Sequence, residues 1–304
     1  MRLIDSNGFV RGIELDPPQV PSNDELYEKI EIAKSYYSLM AINEPLPRTP
    51  GRVYSSTLQT AIEAKRRYSV EVCPYLTCRE HNLRSIDSLL LECAKNGIQN
   101  ILVLKGDQYP VEAKNHSVEV RETYPSKLIR RIKNDLIDLP AFKKFNPSEN
   151  FCLGTVFNTN AQDLKHEVAV LERKFGIPRH ARGADYIQTQ IVFDTDRALE
   201  ALEMARDHGI DAPVILEVTL LKSCKLLTML RNLLGIRVPR EFAERILQLE
   251  EHENGEHSGR LLDYSAIEVL KEAVRITKEV VAKMKPNGIC VSWTSADAAL
   301  EVLW

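Results

Sequence analysis

The chain has 304 residues, of which 44% are hydrophobic and 27% are charged, the balance of a folded protein rather than a disordered one. Its net charge of −3 argues against a nucleic-acid surface, because such surfaces are basic or carry a clear stripe of lysine and arginine. No apolar run approaches the length of a membrane helix, and the first residues lack the apolar segment of a signal peptide. We therefore expect a cytoplasmic protein with neither nucleic-acid nor membrane partners.

Short β-branched runs alternate with amphipathic helical stretches along the chain. The predicted strands are, in order, 9–15, 38–43, 69–76, 100–106, 151–157, 186–193, 213–220 and 288–294. The predicted helices are 23–37, 55–68, 82–96, 126–138, 161–175, 195–208, 223–233, 240–250, 263–284 and 295–303. Strand 100–106, "NILVLKG", is apolar as expected of a parallel strand covered on both faces.

Eight strands alternating with helices favour a closed (β/α)8 TIM barrel, of the α/β class, over an open doubly wound sheet. The glycine fingerprint of dinucleotide-binding open sheets, GxGxxG, follows none of the predicted strands. There is neither an internal repeat nor a low-complexity linker. We expect residues 1–304 to form one domain.

Cysteine and histidine do not indicate a metal site. Cys73 and Cys78 are separated by four residues, unlike the spacing of a CxxC redox or zinc motif, so reduced thiols are expected. His252 and His257 lie in the polar stretch "LEEHENGEHSGR", which is typical of an exposed loop between helices.

Polar residues at the carboxyl ends of the predicted strands are the candidate site, since barrel enzymes place their chemistry at that face. They are Glu14, Asn43, Glu44, Tyr75, Thr77, Lys105, Gly106, Asp107, Asn158, Asn160, Gln188, Gln190, Glu217 and Thr219.

Structural roles remain open for two of the acids. Glu14 comes directly after an apolar run, where it is either functional or paired with a base such as Arg52. Asp107 follows Gly106 and could cap the next segment from a plain turn.

Two further strands carry unusual polar residues. Gln188 and Gln190 alternate with apolar neighbours, and one of the two alternating sets must face the lumen. A glutamine lies there only if it is hydrogen-bonded. Glu217, in "ILEVTL", is unusual for a central strand and is either catalytic or paired with a lysine.

Several segments resemble methylenetetrahydrofolate reductases, especially the branch that begins with "ELDPP" rather than "EFFPP". They occur in the family's order and approximate spacing and cover nearly the whole chain. They are "IELDPP", "PYLTCREHNLRSIDSLLLECAKNGIQNILVLKGD", "LGTVFNTNAQDLKHEVAVLERK", "GADYIQTQIVFD" and "GIRVP".

The resemblance implies an FAD-dependent oxidoreductase of one-carbon metabolism and methionine biosynthesis. Such an enzyme takes a hydride from NADH, NADPH or a partner reductase and passes it to 5,10-methylenetetrahydrofolate, giving 5-methyltetrahydrofolate. A reduced folate or related pterin is then the substrate. A homo-oligomer or a partner electron-transfer protein is compatible with this family.

The family's functional residues can be carried over by position. Glu14 matches the general acid that protonates the bridged folate so that it opens to an iminium. Asp107 matches the aspartate that contacts the pterin and tunes the flavin, and Gln190 matches a glutamine that hydrogen-bonds the folate. Lys225, in "KSCK", stands on the substrate wall. The implied cofactor-binding residues are Asn43, Tyr75, Thr77, Lys105, Gly106, Asp107, Asn158, Glu167 and Lys174.

The chain departs from the family on the cofactor and substrate walls. The family usually has histidine where this chain has Tyr75. The stretch "FGIPRHAR" is longer than usual, so Lys174 and Arg179 compete for one matching position, and "KSCK" replaces the residues that usually hold folate. These changes predict altered partners: another electron donor, a modified carrier or weaker flavin binding. The alternatives are a non-redox or flavin-free pterin-binding subunit of a C1-transfer complex, and a barrel of unrelated chemistry.

Overall fold

Eight parallel strands close into a barrel in the computed structural model, which describes residues 8–18, 24–44, 56–79, 81–106, 122–177, 181–255 and 262–292. The strands are Val10–Leu15 (β1), Leu39–Ile42 (β2), Val72–Thr77 (β3), Asn100–Leu104 (β4), Cys152–Phe157 (β5), Tyr186–Thr189 (β6), Val214–Thr219 (β7) and Gly288–Ser292 (β8). Each pairs with the next, and the register of Val10 with Gly288 closes the ring. The predicted TIM barrel is confirmed.

Helices cover the outside of the barrel. They are Asp24–Ala33 (α1), Thr57–Tyr68 (α2), Leu83–Lys95 (α3), Pro125–Arg130 (α4), Pro147–Asn150 (α5), Leu164–Lys174 (α6), Thr195–Asp207 (α7), Cys224–Asn232 (α8), Arg240–Gly255 (α9) and Leu262–Met284 (α10). Several begin at a side chain that accepts a hydrogen bond from a backbone N–H of the first turn, as a helix N-cap does. These caps are Ser56, Asn82, Asp163, Asp194 and Ser223. The predicted helix 295–303 lies outside the described residues.

The sixth strand is shorter than the predicted 186–193, since it ends at Thr189. Its continuation still bonds to both neighbours, because the Gln190 N–H donates to Phe157 O at 3.0 Å and the Val192 N–H donates to Glu217 O at 3.2 Å. Ile191, Val192 and Phe193 are buried, although they lie beyond the regular part of the strand.

The loop predicted from "LEEHENGEHSGR" was wrong over its first half, because α9 continues through His252 to Gly255. The helix packs against α10, where Arg245 forms ion pairs with Glu272 and, at 3.2 Å, with Glu279. This packing outweighs the local preference of a polar stretch. His257 lies outside the described residues.

The predicted helix 126–138 changes type along its length. Its α-helical part ends at Arg130, a π-helical turn covers Arg131–Asp135, and a 3-10 turn covers Leu136–Asp138. The wide turn coincides with two anchored side chains. Arg131 pairs with Asp87 at 2.7 Å, and the buried Lys133 pairs with Asp185 at 2.6 Å.

The lower part of the lumen is packed with apolar side chains and thiols. These residues are Val10, Leu39, Ala41, Cys73, Leu102, Cys152, Tyr186, Ile215 and Cys290. The ring of Tyr186 lies against Gly154, where a Cβ atom would stand 2.2 Å from Tyr186 Cζ. A glycine is required there for the ring to fill the lumen. None of the six cysteines, which all lie among the described residues, forms a disulfide bond, and no helix in the described part of the chain is long and apolar enough to span a membrane.

Candidate active site

Four side chains meet in the lumen above this packed layer. Tyr75 Oη donates to Glu14 Oε2 at 3.1 Å, and Gln188 Nε2 donates both to Tyr75 Oη at 2.9 Å and to Glu217 Oε2 at 3.1 Å. The four residues come from β1, β3, β6 and β7. We call Glu14, Tyr75, Gln188 and Glu217 the lumen network.

Strand periodicity places the network. Side chains two positions apart on a strand point to the same face, so each follows an inward-facing residue of the lower layer. The successive pairs are Cys73 and Tyr75, Tyr186 and Gln188, and Ile215 and Glu217. This settles the question of the two alternating sets on β6: Gln188 faces the lumen, is 4% exposed, and is hydrogen-bonded.

Burial favours the protonated form of both carboxyl groups in the network. Burial, followed by the negative charges of Glu217 and Asp16, raises the pKa of Glu14 well above its usual range, against a smaller lowering by the Tyr75 hydrogen bond. Burial raises the pKa of Glu217 to about 7, although hydrogen bonds from Gln188 and Ser292 lower it. The pair therefore retains a proton near neutral pH, as a proton donor requires.

A second group of residues joins the ends of β2, β3 and β4. Glu44 accepts from the Thr77 N–H at 2.8 Å and contacts His81 Nε2 at 3.1 Å. Gly106 has a φ of +83°, and a Cβ there would lie 2.9 Å from Arg79 Cβ. The site thus needs glycine at 106, because both the backbone conformation and the close approach exclude a side chain.

Gln190 lies just beyond β6 and has an unusual feature. Its side-chain oxygen Oε1 is buried and makes no hydrogen bond to the described residues. Because a buried polar atom is normally paired, this oxygen is an acceptor available to a donor on a ligand. The observation fits the predicted folate contact.

The other predicted residues do not bond to the lumen network in the described part of the chain. Asn43 donates to Asp16 Oδ1 at 3.0 Å, and Asn158 accepts from the Asn160 N–H at 3.0 Å. Three further candidates are Lys105, which is exposed, Glu167, half-buried in the first turn of α6, and Lys225, exposed on α8. Asp107 and the alternative Glu14 partner Arg52 lie outside the described residues.

A basic cavity of about 510 Å³ lies between α4 and the end of α6. It is lined by Ser126, Lys127, Arg130, Arg173, Lys174, Gly176, Ile177, Ala181 and Arg182. Five of these nine residues are basic, and none of the described lining residues is acidic. Lys174 Nζ donates to Val156 O at 2.7 Å, and burial lowers the pKa of this lysine to about 8. We call this space the basic cleft.

Sequence reasoning left three of these features without a role. Glu217 was conspicuous as a charge within an apolar strand, but its partner is Gln188 rather than a lysine. Gln188 could have been found from strand alternation once its face was known. The arginines of the basic cleft carry no sequence signal, because Arg130 and Arg182 come from separate segments.

Residues 3–284 match the family model described as methylenetetrahydrofolate reductase. The chain belongs to the methylenetetrahydrofolate reductase family. It is 24% identical to methylenetetrahydrofolate reductase 1 of Schizosaccharomyces pombe over 289 residues, which are 91% of this chain and 42% of that protein. It is 30% identical to methylenetetrahydrofolate reductase 2 of Saccharomyces cerevisiae over 166 residues, 54% of this chain and 26% of that protein.

These matches confirm the family resemblance seen in the sequence motifs. The chain nevertheless spans less than half the length of either relative. Among solved structures, it is similar to 7,8-dihydropteroate synthase from Vibrio fischeri ES114, with a TM-score of 0.46, 13% identity and coverage of 98% of this chain and 91% of that one. A likeness at that TM-score supports no functional conclusion.

Proposed function

We propose that this chain reduces 5,10-methylenetetrahydrofolate, or a related pterin, to the 5-methyl form. The observation that carries the proposal is Glu14, a carboxyl group with a raised pKa at the carboxyl end of β1, in a chain that belongs to the reductase family. Opening the bridged one-carbon unit to an iminium needs a proton on the departing nitrogen. A carboxyl group that stays protonated near neutral pH can supply it.

The lumen network orients this acid. Tyr75 has a single hydroxyl hydrogen and donates it to Glu14 Oε2, so the acidic proton of Glu14 belongs on Oε1. Oε1 is then the atom that delivers the proton to the substrate. We place the pterin so that one of its N–H groups reaches the unpaired Oε1 of Gln190.

The basic cleft fits the diphosphate of FAD. A diphosphate is best held by several cations, and the cleft offers five, with no acidic residue among its described lining residues. Arg130 and Lys174 would hold its oxygens. FAD, when bound, supplies a hydride carrier between a reduced nicotinamide, or a partner reductase, and the one-carbon unit.

The remaining assignments complete the proposal. Asp107 and Lys225 contact the pterin. The other cofactor contacts are Asn43, Tyr75, Thr77, Lys105, Gly106, Asp107, Asn158 and Glu167.

Reconstitution with FAD tests the function. The purified full chain is mixed with FAD, reduced anaerobically with NADH or NADPH, and then given 5,10-methylenetetrahydrofolate. We expect the flavin absorbance to bleach and then to recover as 5-methyltetrahydrofolate appears. Failure to reoxidise, with no methyl product, contradicts the proposal.

Two other outcomes identify the alternatives. If methyl product forms from a reduced nicotinamide without FAD, the chain is a reductase that does not need the flavin. Binding of a reduced folate with no FAD binding and no redox reaction indicates the pterin-binding subunit instead.

A further inference from the structure

Glu217 is a carboxyl group that the proposed chemistry does not use. It lies in the middle of β7, between apolar neighbours, and its half-buried side chain bonds to Gln188 in the lumen rather than to a base. Placing a carboxylate there is costly unless it is paired or has a role.

The hydrogen-bond directions indicate which carboxyl group carries the proton. Both hydrogens of the Gln188 amide nitrogen are used, one on Tyr75 Oη and one on Glu217 Oε2. Glu217 therefore accepts the second amide hydrogen, and the nearby Ser292 side chain also lowers its pKa. Glu14 receives one donor, the Tyr75 hydroxyl. Since hydrogen bonds to a carboxylate favour its ionised form, Glu217 is the better anion of the two.

The groups around the pair leave Glu217 as the main charge acting on Glu14. In the described part of the chain, β3 contributes Tyr75, β6 contributes Gln188, β8 contributes Cys290 and Ser292, and the segment after β1 contributes the exposed Asp16. The carboxylates that raise the pKa of Glu14 are Glu217 first and Asp16 second. Asp16 is exposed, so solvent screens its charge more strongly than that of the half-buried Glu217.

We propose that Glu217 is a positioning residue, which loses its proton before Glu14 does, orients Gln188 and Tyr75, and keeps the remaining proton of the pair on Glu14. The role of this proton in catalysis rests on the proposed function, but the order in which the two carboxyl groups ionise can be measured without it. This arrangement gives the reductase an acid that stays protonated at a pH where a lone glutamic acid would be ionised.

Carboxyl titration by NMR of the full chain tests the inference. Glutamate is labelled with carbon-13 at the side-chain carboxyl, and the two signals are identified by their loss in Glu14→Gln and Glu217→Gln. In the wild type, we expect Glu217 to lose its proton at a lower pH than Glu14. In Glu217→Gln, which keeps an oxygen acceptor for Gln188, the midpoint of Glu14 should fall by about one pH unit or more. Asp16→Asn is the matched control, with a smaller fall.

Three results overturn the inference: Glu14 ionising before Glu217 in the wild type, an unchanged Glu14 midpoint in Glu217→Gln, or an equal fall in Asp16→Asn. The wild-type order decides the question even if Glu217→Gln does not fold. Because titration needs no turnover, a shifted midpoint in a protein that does not reduce folate would refute the function alone. An unshifted midpoint in an active reductase would refute this inference alone.

Discussion

Tyr75 donates its hydroxyl hydrogen to Glu14 Oε2 across the lumen, with an oxygen–oxygen distance of 3.1 Å. The same hydroxyl oxygen accepts from Gln188 Nε2 at 2.9 Å. One phenol therefore fixes the acid and links it to the second carboxyl group.

Replacing Tyr75 by phenylalanine should keep the ring packing and remove the link. Glu14 and Gln188 each lose a partner, which should cost about 1–2 kcal/mol of unfolding free energy. We expect the folate half-reaction to slow about ten-fold, because the acid is no longer oriented, while flavin reduction keeps its rate. Stopped-flow absorbance separates the two steps.

The matched control is Tyr186→Phe. Tyr186 also fills the lumen, but its hydroxyl contacts only Cys73 Sγ, at 3.5 Å, among the hydrogen bonds of the described residues. Equal loss in both variants would mean that the network hydroxyl has no special role.

Glu217→Gln should change how stability depends on pH. The folded pKa of Glu217 is raised from the usual 4.5 to about 7, so its contribution to stability is full below the unfolded value and is lost as pH rises through the folded value. The variant lacks this loss, which amounts to about 2 kcal/mol. Its Tm relative to the wild type should therefore rise by about 4 °C between about pH 5 and pH 8.

Thermal melts at the two pH values measure this difference. Glu203→Gln, on the exposed side of α7, is the control and should follow the wild type. A pH-independent difference for Glu217→Gln would show that burial does not hold a proton on Glu217.

The two glutamines of "YIQTQIVF" should respond oppositely to leucine. Gln190→Leu removes a buried oxygen that has no partner, so the unfolding free energy should stay the same or increase by about 1 kcal/mol. Gln188→Leu leaves Tyr75 and Glu217 without their donor and should cost about 2 kcal/mol.

Enzyme kinetics should also distinguish Gln190→Leu from Gln188→Leu. The KM of Gln190→Leu for methylenetetrahydrofolate should rise about ten-fold with little change in flavin reduction, because a substrate hydrogen bond is lost. Denaturant titration and steady-state kinetics measure both effects. Destabilisation of Gln190→Leu with an unchanged KM would place this glutamine in the fold rather than the substrate site.

Arg130→Gln should weaken FAD binding. Arg130 is exposed and lines the basic cleft, so its loss should spare the fold and raise the Kd for FAD about ten-fold. Fluorescence titration of FAD gives the Kd. Arg206→Gln, on α7 away from the cleft lining, should bind FAD like the wild type. Equal affinities of Arg130→Gln and the wild type for FAD would show that FAD does not bind in this cleft.

The barrel could be predicted because each strand is a local signal. "NILVLKG" and its counterparts are short apolar runs that alternate with capped helices, and these patterns do not depend on distant residues. The end of α9 could not be predicted in the same way. Its last residues have a local preference for a loop, whereas the body of α9 is held against α10 through Arg245, ten residues before the helix ends.

The site was predicted only in part for the same reason. Family motifs singled out Glu14 and Tyr75, yet the bond between them joins residues 61 positions apart. The bond between Gln188 and Tyr75 spans 113 positions. Strand alternation puts Gln188 and Gln190 on the same face, and only the family resemblance gave one of them a role, which was Gln190. Only barrel closure brings Glu217 within hydrogen-bond distance of Gln188. That bond explains why a charged residue occurs in an apolar strand.

The most direct test of the account is the pair of half-reactions in Glu14→Gln, measured by anaerobic stopped-flow with FAD bound. We expect flavin reduction by the nicotinamide to keep its wild-type rate and reoxidation by methylenetetrahydrofolate to fall by about two orders of magnitude or more, since only the second step needs the proton. A wild-type rate of reoxidation, or an equal fall in both steps, would contradict the role of Glu14 as the acid.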